Sequence, residues 1–259
     1  RQRQMCIRDR KQYAVPRKTL IDNLEEAVVE EKKIEEMDVV FLMDRFGYAK
    51  TVDVSVYERN KEAADTENRY ILTCKNTDKI CIFTNKGQMH LLKVLDLPYG
   101  KFRDKGIPID NLSNYDSSEE NFIYIINLGA IIHSRLLFGT KTAMLKMVDG
   151  SEFDVAKRTT ASTKLNEDDE LLIVHAMTGE ETVVMQSEKE MFLRIEASTI
   201  PEKKKGAVGV RGMKLNAGDA LSNIYVLDGE NEQTVEVKGK EVVLNRLRVG
   251  NRDTKGTKR

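Results

Sequence analysis

Short runs of Val, Ile, Leu, Phe and Tyr, broken by Gly, Asn and Asp, dominate the chain from residue 38 to residue 259. Apolar runs of this length between turn residues are typical of β-strands, and no segment keeps a helical period. The pattern predicts a hairpin of residues 70–74 and 79–83, followed by a third strand over residues 88–94. A basic loop and a fourth strand, residues 107–112, complete a four-stranded unit.

This unit repeats along the chain. Segments equivalent to its third strand are residues 48–50, 88–91, 142–145, 190–193 and 241–244. The basic loop and outer strand recur at Gly106, Thr159, Gly209 and Gly256, with spacings of 53, 50 and 47 residues. Four strands in about 50 residues is the period of a propeller-like blade. We therefore expect an all-β fold of about five four-stranded blades, the first and last incomplete; the alternative is a β-sandwich with coincidental turn spacing.

Residues 1–37 are expected to lie outside this domain, as a tail and an acidic linker. Residues 1–10 match nothing downstream and are interpreted as foreign to the native protein. Residues 22–38 carry eight acidic residues against Lys32 and Lys33, a local net charge of −6. They are either a solvated linker or short helix, or an acidic segment that competes with nucleic acid for a basic face. Since the whole chain is neutral, we expect the domain of residues 38–259, whose last unit is expected to be cut short, to be basic.

Basic residues recur in the loop that enters each outer strand. If the units are blades around an axis, these clusters join into a band of positive charge, which suits a phosphate backbone and predicts binding of duplex DNA without sequence preference. A curved rim would favour bent DNA. Taken singly, each cluster is also typical of an ordinary solvated loop. The candidate DNA-binding residues are Lys101, Arg103, Lys105, Lys157, Arg158, Lys203, Lys204, Lys205, Arg211, Arg252, Lys255 and Lys258.

No other chemistry is indicated by the sequence. The glycine-containing segment 206–212 lacks the order and the ending of a nucleotide-binding loop. The histidines are scattered, no nucleophile motif or metal-ligand cluster is present, and no catalytic or metal-binding residue is predicted. The apolar segment 122–138 is interrupted by polar residues, so no membrane span is expected. The cysteines, Cys6, Cys74 and Cys81, have neither zinc nor redox spacing, which favours a reducing, cytoplasmic location.

Several of these segments resemble a known family. Residues 38–58 (DVVFLMDRFGYAKTVDVSVYE), 78–112 (DKICIFTNKGQMHLLKVLDLPYGKFRDKGIPIDNL) and 203–219 (KKKGAVGVRGMKLNAGD) resemble successive blades of the C-terminal domain of the A subunit of bacterial type IIA topoisomerases, the gyrase and topoisomerase IV family. Residues 16–22 (PRKTLID) and the acidic stretch resemble its connection to the cleavage core. The resemblance extends over nearly everything from Tyr13 onward.

This resemblance implies a β-pinwheel whose blades exchange strands and whose basic perimeter binds and bends duplex DNA. The implied partners are the B subunit of an A2B2 holoenzyme and the cleavage core that precedes such a domain in its own polypeptide, in the cytoplasm and associated with the nucleoid. ATP and Mg²⁺ would act through parts of that enzyme outside this chain, so no cofactor is expected here. The enzyme's catalytic tyrosine would also lie outside the chain.

One departure from the family bears on the subtype. Gyrase A subunits carry a Gln-Arg-Arg-Gly-Gly-Lys-Gly box in the first blade, and here that place is occupied by residues 59–68, with no glycine and two basic residues, Arg59 and Lys61. The absence of the box favours a topoisomerase IV-like enzyme that relaxes or decatenates DNA. The alternatives are a gyrase A domain that wraps DNA for negative supercoiling, and a propeller-like scaffold for proteins.

Overall fold

Apolar runs without strict alternation form the central strands. The computed structural model describes residues 35–259, and residues 36–259 form one compact unit. In the first strand, Phe41, Leu42 and Met43 are successive in sequence and all fully buried. Successive strand residues point to opposite faces, so both faces of this strand are covered. The proposed tail and linker lie outside the described residues except for residues 35–37, and their boundaries stay predictions.

The described chain contains eighteen strands. They are β1 (Asp38–Asp44), β2 (Tyr48–Asp53), β3 (Asn68–Lys75), β4 (Lys79–Thr84), β5 (Gln88–Lys93), β6 (Ile107–Pro108), β7 (Phe122–Asn127), β8 (Arg135–Thr140), β9 (Met144–Asp149), β10 (Thr159–Ala161), β11 (Leu171–Met177), β12 (Thr182–Ser187), β13 (Met191–Glu196), β14 (Val210–Arg211), β15 (Leu221–Leu227), β16 (Thr234–Val237), β17 (Lys240–Val243) and β18 (Thr257–Lys258). Three short helices are α1 (Val54–Arg59), α2 (Lys61–Glu67) and α3 (Leu128–Ile131), and short 3-10 turns lie at Val94–Asp96, Ile109–Asn111, Gly150–Phe153, Ala197–Thr199 and Leu244–Arg246. The all-β class is confirmed.

The strands form four four-stranded antiparallel sheets and one two-stranded sheet within the described residues. We call these sheets blades one to five: β3-β1-β2-β6, β7-β4-β5-β10, β11-β8-β9-β14, β15-β12-β13-β18, and the hairpin β16-β17. The outer strand of each complete blade comes from sequence that follows the hairpin of the next blade. For example, β6 follows the hairpin β4-β5 of the second blade but pairs with β2 of the first. The blades are therefore linked by exchanged strands, as expected for a β-pinwheel.

Three details of the expected unit are wrong. Residues 70–74 do not form a hairpin with residues 79–83, because β3 pairs with β1 and β4 pairs with β5 and β7. Of the strand expected over residues 107–112, only Ile107–Pro108 is a strand, and Ile109–Asn111 forms a 3-10 turn. The first blade is complete rather than incomplete, whereas the fifth has only two strands among the described residues.

An apolar cluster lies between each pair of consecutive blades. One joins Phe41 of the first blade to Ile82 of the second, and the next joins Phe83 of the second to Phe138 of the third. Two similar clusters lie between the third and fourth blades and between the fourth and fifth. Neighbouring residues of one strand thus contribute to different clusters, which explains the continuous apolar runs.

The other face of the first blade is covered by helices α1 and α2. Val40 and Leu42 of β1 pack there against Ala64 of α2, with Val56 and Phe102 at the edge of the cluster. In later blades the chain leaves the hairpin to supply an outer strand to the preceding blade. Among residues 35–259 no blade precedes the first, and there the connection folds back as a helical cap.

In the first, third and fourth blades a glycine sets how closely the outer strand approaches its blade, whereas Thr159 occupies the equivalent position in the second blade. A Cβ added at Gly106 would lie 2.6 Å from the carbonyl oxygen of Ala49, and one at Gly209 would lie 2.6 Å from that of Leu145. At Gly256 the distance to the Phe192 oxygen would be 2.8 Å. Such contacts are too short for any side chain, so glycine is required there for the outer strand to dock.

Candidate functional site

The four basic loops occupy equivalent positions in the fold. We define them as residues 97–106, 154–158, 200–209 and 247–256, each running from the end of a hairpin to the outer strand of the preceding blade. Isolated parallel bridges Thr51–Tyr99, Met147–Glu202 and Arg194–Val249 hold the first, third and fourth loops against the same place of a hairpin. The second loop is shorter, and Leu91 N–H donates to the Arg158 carbonyl at 2.7 Å. The repeat inferred from the sequence thus places the loops equivalently.

Nine of the twelve candidate DNA-binding residues are exposed, and the remaining three are half-buried. The exposed residues are Lys101, Arg103, Lys105, Lys157, Arg158, Lys204, Arg211, Lys255 and Lys258, and the half-buried ones are Lys203, Lys205 and Arg252. Ten lie in the basic loops, whereas Arg211 lies in β14 and Lys258 in β18, the strands that directly follow the third and fourth loops.

Five of these side chains have partners within the domain. Lys204 lies 3.5 Å from the carboxylate of Glu152, and Lys205 Nζ donates to the Glu152 carbonyl at 2.7 Å. Arg211 pairs with Asp253 at 3.4 Å, and Arg252 donates to the Arg211 carbonyl at 3.0 Å.

The hydrogen bond from Arg252 to the Arg211 carbonyl joins the fourth basic loop to the strand that follows the third. The fifth partnered side chain is Lys105, whose ammonium lies 4.9 Å from the centre of the Tyr48 ring.

The domain as a whole is not basic, contrary to expectation. Residues 38–259 contain 33 basic and 34 acidic residues, because the excess of positive charge lies in residues 1–21 and offsets the acidic stretch that follows. Acidic residues concentrate instead in turns such as residues 167–170, which has four in succession. Attraction for an anion would therefore be local to the basic loops.

Three buried or half-buried cations behind the loops were missed by the sequence analysis. Lys50 and Lys146 donate to carbonyls of the first and third basic loops, and Arg194 donates to the carbonyls of Asn245 and Leu247. The available signal was a lysine inside an apolar strand: Lys146 lies between Leu145 and Met147 and is only 1% exposed.

The second blade has His90 at the place of these lysines. His90 is buried, its Nε2 lies 2.7 Å from the Glu120 carboxylate, and its Nδ1 lies 3.1 Å from the Thr159 hydroxyl. Elsewhere, burial lowers the pKa of the half-buried His175, and His133 is exposed. Among residues 35–259, no three His, Cys, Asp or Glu side chains are placed to hold a metal ion.

The place of the missing first-blade box is helical. Residues 59–68 comprise the end of α1, all of α2 and the residue on either side of α2, and Arg59 is held by the carbonyl and hydroxyl of Ser55. An open groove of about 680 Å³ separates this segment from the first basic loop, and Glu67 and Asp104 line it beside Arg103. No helix in the described part of the chain is long and apolar enough to cross a membrane.

A family model and two sequence relatives that match this chain concern the A subunit of DNA gyrase. A family described as DNA gyrase C-terminal domain, beta-propeller, matches residues 134–176 and 181–228, within the third and fourth repeats. The DNA gyrase A subunit of Lawsonia intracellularis is 28% identical over 265 residues, covering 94% of this chain and 32% of that protein. The DNA gyrase A subunit of Staphylococcus epidermidis is 29% identical over 251 residues, covering 90% and 28%. The chain therefore spans about three tenths of the length of these relatives.

Solved structures show the same fold. The C-terminal domain of a DNA topoisomerase IV superposes with a TM-score of 0.77 at 22% identity, over 86% of this chain and 73% of that one. The C-terminal domain of ParC from E. coli superposes with a TM-score of 0.69 at 15% identity, over 86% and 94%.

Proposed function

Because this chain carries the repeats of the C-terminal domain of bacterial type IIA topoisomerase A subunits, we propose that it binds duplex DNA through its basic loops. The observation that carries the proposal is the recurrence of exposed Lys and Arg at one structural position in four blades. Lys and Arg ends bind phosphate oxygens, which are the same in every sequence. Binding is therefore expected to be independent of sequence, and a path from blade to blade would bend the duplex.

Salt dependence tests this proposal. Contact with some 5 to 8 phosphates gives a slope of log affinity against log salt of roughly −4 to −7. Replacing Lys203, Lys204 and Lys205 together with alanine should make the slope less negative by about 2. Only two of the three lysines are counted, because the ammonium of Lys205 is already bound to the Glu152 carbonyl. A matched control replaces Lys86, Lys164 and Lys189, three lysines outside the basic loops. Equal affinities for the two triple variants at every salt concentration would contradict the proposal.

The same measurement separates DNA binding from a protein scaffold. A scaffold whose charges only confer solubility would show no salt-sensitive affinity for duplex DNA of arbitrary sequence. The two triple variants would then behave alike.

For the parent enzyme we propose a topoisomerase IV-like activity, relaxation or decatenation, together with a cleavage core and an ATP-hydrolysing B subunit in an A2B2 assembly in the cytoplasm, at the nucleoid. Support comes from the first blade, where α2 and its acidic residues Glu62, Asp65 and Glu67 stand in place of a glycine-rich basic box. Bending duplex DNA costs about 1 to 6 kcal/mol per 20 to 30 base pairs, so a wrap that is not fastened there would stay partial. The names of the sequence relatives favour the alternative, the A subunit of a gyrase.

Supercoiling decides between these two activities. The full-length parent protein is combined with its B partner, relaxed plasmid and ATP, and the topoisomers are resolved on a chloroquine gel. Relaxed or weakly supercoiled products are expected. Strong negative supercoiling would overturn the topoisomerase IV assignment in favour of gyrase.

A further inference from the structure

The third basic loop is folded around the ammonium group of a buried lysine. Lys146 Nζ donates to the carbonyl oxygens of Lys205 at 2.7 Å, Ala207 at 2.8 Å and Lys204 at 3.3 Å. The Phe138 ring centre lies 5.5 Å from the same ammonium. Three carbonyls of an otherwise exposed loop therefore face the interior of the domain.

The first basic loop repeats this arrangement. Lys50 Nζ donates to the carbonyl oxygens of Phe102 at 2.5 Å and Asp104 at 3.0 Å. Lys50 and Lys146 are equivalent, since each lies three residues after the positive-φ residue of its hairpin turn, Gly47 and Ala143 respectively. The same device thus occurs independently in two blades.

Inward carbonyls require outward amides. All described peptide bonds are trans, and the C=O and the following N–H of a planar trans peptide point in opposite directions. With the Lys205 and Ala207 carbonyls facing Lys146, the N–H groups of Gly206 and Val208 face away from it. Neither amide donates a hydrogen bond within residues 35–259, and a Cβ at Gly206 would meet nothing within 4 Å.

The outward amides are accompanied by positive side chains. Lys203 and Lys204 lie next to them in the third loop, and the Lys204 side chain is 86% exposed. In the first loop the same peptide geometry turns the N–H groups of Arg103 and Lys105 outward, beside their own charged side chains. Two outward amides beside a cation are hydrogen-bond donors of the kind that bind phosphate oxygens.

We propose that Lys146 and Lys50 are positioning residues that build two phosphate seats, one from the amides of Gly206 and Val208 and one from those of Arg103 and Lys105. The inference rests on the proposed function only in that the phosphates would be those of a DNA backbone. The buried lysine does not touch the phosphate. It holds the loop in the conformation in which the amides are available.

The other two blades lack the device. In the second, His90 occupies the position and is bound to Glu120 and Thr159 rather than to the basic loop. In the fourth, Leu193 occupies it, and the neighbouring Arg194 instead donates to the carbonyls of Asn245 and Leu247 at the start of the fourth loop. Phosphate seats are therefore expected on the first and third blades and not on the second and fourth.

The positive charge of Lys146 does not itself stabilise the fold. Burial lowers the pKa of Lys146 to about 8, although the Glu152 carboxylate acts in the opposite direction. Lys204 and Lys205 lie in the loop that Lys146 holds. A lysine whose pKa falls on folding costs stability because its charged form is more favourable in the unfolded chain; this cost is complete below about pH 8 and disappears as pH rises to 10.5. A cation retained at such a cost is consistent with a role in shaping the loop.

Amide NMR of the whole chain tests the seats directly. Inorganic phosphate is titrated against sodium chloride of equal ionic strength, and the amide shifts of Gly206, Val208, Arg103 and Lys105 should move while that of Arg158 does not. In Lys146→Met the phosphate-induced changes in chemical shift at Gly206 and Val208 should disappear, while those at Arg103 and Lys105 remain. The remaining changes also show that the variant is folded.

The reciprocal variant, Lys50→Met, should show the converse pattern. Leu193→Met, a change at the equivalent position of a blade without the lysine, is the matched control. In it the four amides should respond to phosphate as they do in the native chain. The proposal would be overturned if phosphate still changed the Gly206 and Val208 chemical shifts in Lys146→Met. It would also be overturned if phosphate changed none of the four amide shifts in the native chain.

Duplex DNA distinguishes the sources of phosphate. Lys146→Met should lower duplex affinity about fivefold, the effect of roughly one net hydrogen bond, whereas Leu193→Met should not change it. If inorganic phosphate moves the four amides but the native chain fails to bind duplex DNA, the seats stand and the proposed function fails. If duplex DNA binds and Lys146→Met binds it equally well, the seats are overturned and the proposed function stands.

Discussion

Replacing Gly209 with alanine should detach the outer strand β14 from the third blade. The added Cβ would lie 2.6 Å from the oxygen, 2.9 Å from the carbon and 3.0 Å from the nitrogen of the Leu145 backbone. Ordinary contacts begin near 3.4 Å, so the two backbones must separate by nearly 1 Å. Because Leu145 is held in the middle of the blade by β8, the outer strand has to move.

The cost of this separation follows from what β14 contributes. Its pairing with β9 comprises two residue pairs, Val210–Leu145 and Arg211–Met144, and forced overpacking of a rigid site costs about 1 to 3 kcal/mol. We expect Gly209→Ala to lower the free energy of unfolding by about 2 to 3 kcal/mol. For a domain of this size that corresponds to a Tm decrease of roughly 4 to 12 °C.

Thermal unfolding followed by far-ultraviolet circular dichroism measures this change, since the chain has no tryptophan. Gly206→Ala, three residues earlier in the same loop, is the matched control because its Cβ would meet nothing within 4 Å. Its stability should change by less than about 0.5 kcal/mol. Equal Tm values for the two variants would refute the close docking of the outer strand.

Two further predictions concern titratable groups. Burial raises the pKa of Glu181, but hydrogen bonds from the Thr178 hydroxyl and from the Thr178 and Gly179 amides outweigh it and lower the pKa to about 2. Glu181 therefore stabilises the fold above about pH 4.5, by on the order of 2 to 3 kcal/mol, and this contribution is lost as pH falls towards 2; Glu181→Gln should lower Tm at pH 7 and by much less at pH 2.5. Burial raises the pKa of Cys81 to about 12 and that of Cys74 to about 11, so a thiol reagent should label neither in the folded domain at pH 8, and rapid labelling of Cys81 would contradict its position in the core.

The helical cap on the first blade illustrates what local sequence patterns leave open. Residues 54–67 carry Val54, Val56, Tyr57 and Ala64 on one side of two short helices. Asp53 caps α1 by accepting from Ser55 N–H, a local signal that is visible in the sequence. The helices are too short to be stable alone, and they form because Val40 and Leu42 offer an apolar face that no other blade of the described residues covers.

The sequence by itself determined the repeat, the turn at Gly87 that leads into the strand of residues 88–94, and the position of the basic loops before each outer strand. These features are local, because turn residues and apolar alternation act over a few positions. The sequence did not determine which strands pair: β3 was expected beside β4 but lies beside β1. An apolar strand packs equally well against either neighbour as far as its own pattern shows, and only the stacking of blades selects one.

The candidate site divides in the same way. Exposed lysines and arginines were identified from composition, but the inward role of Lys50 and Lys146 was not, since a lysine is ordinarily assigned to the surface. Their ammonium groups are satisfied by carbonyls 52 to 61 residues away in sequence. Such distant partners become neighbours only when the following repeat returns its outer strand to the preceding blade, so tertiary structure alone decides which lysines face solvent and which shape the loops that do.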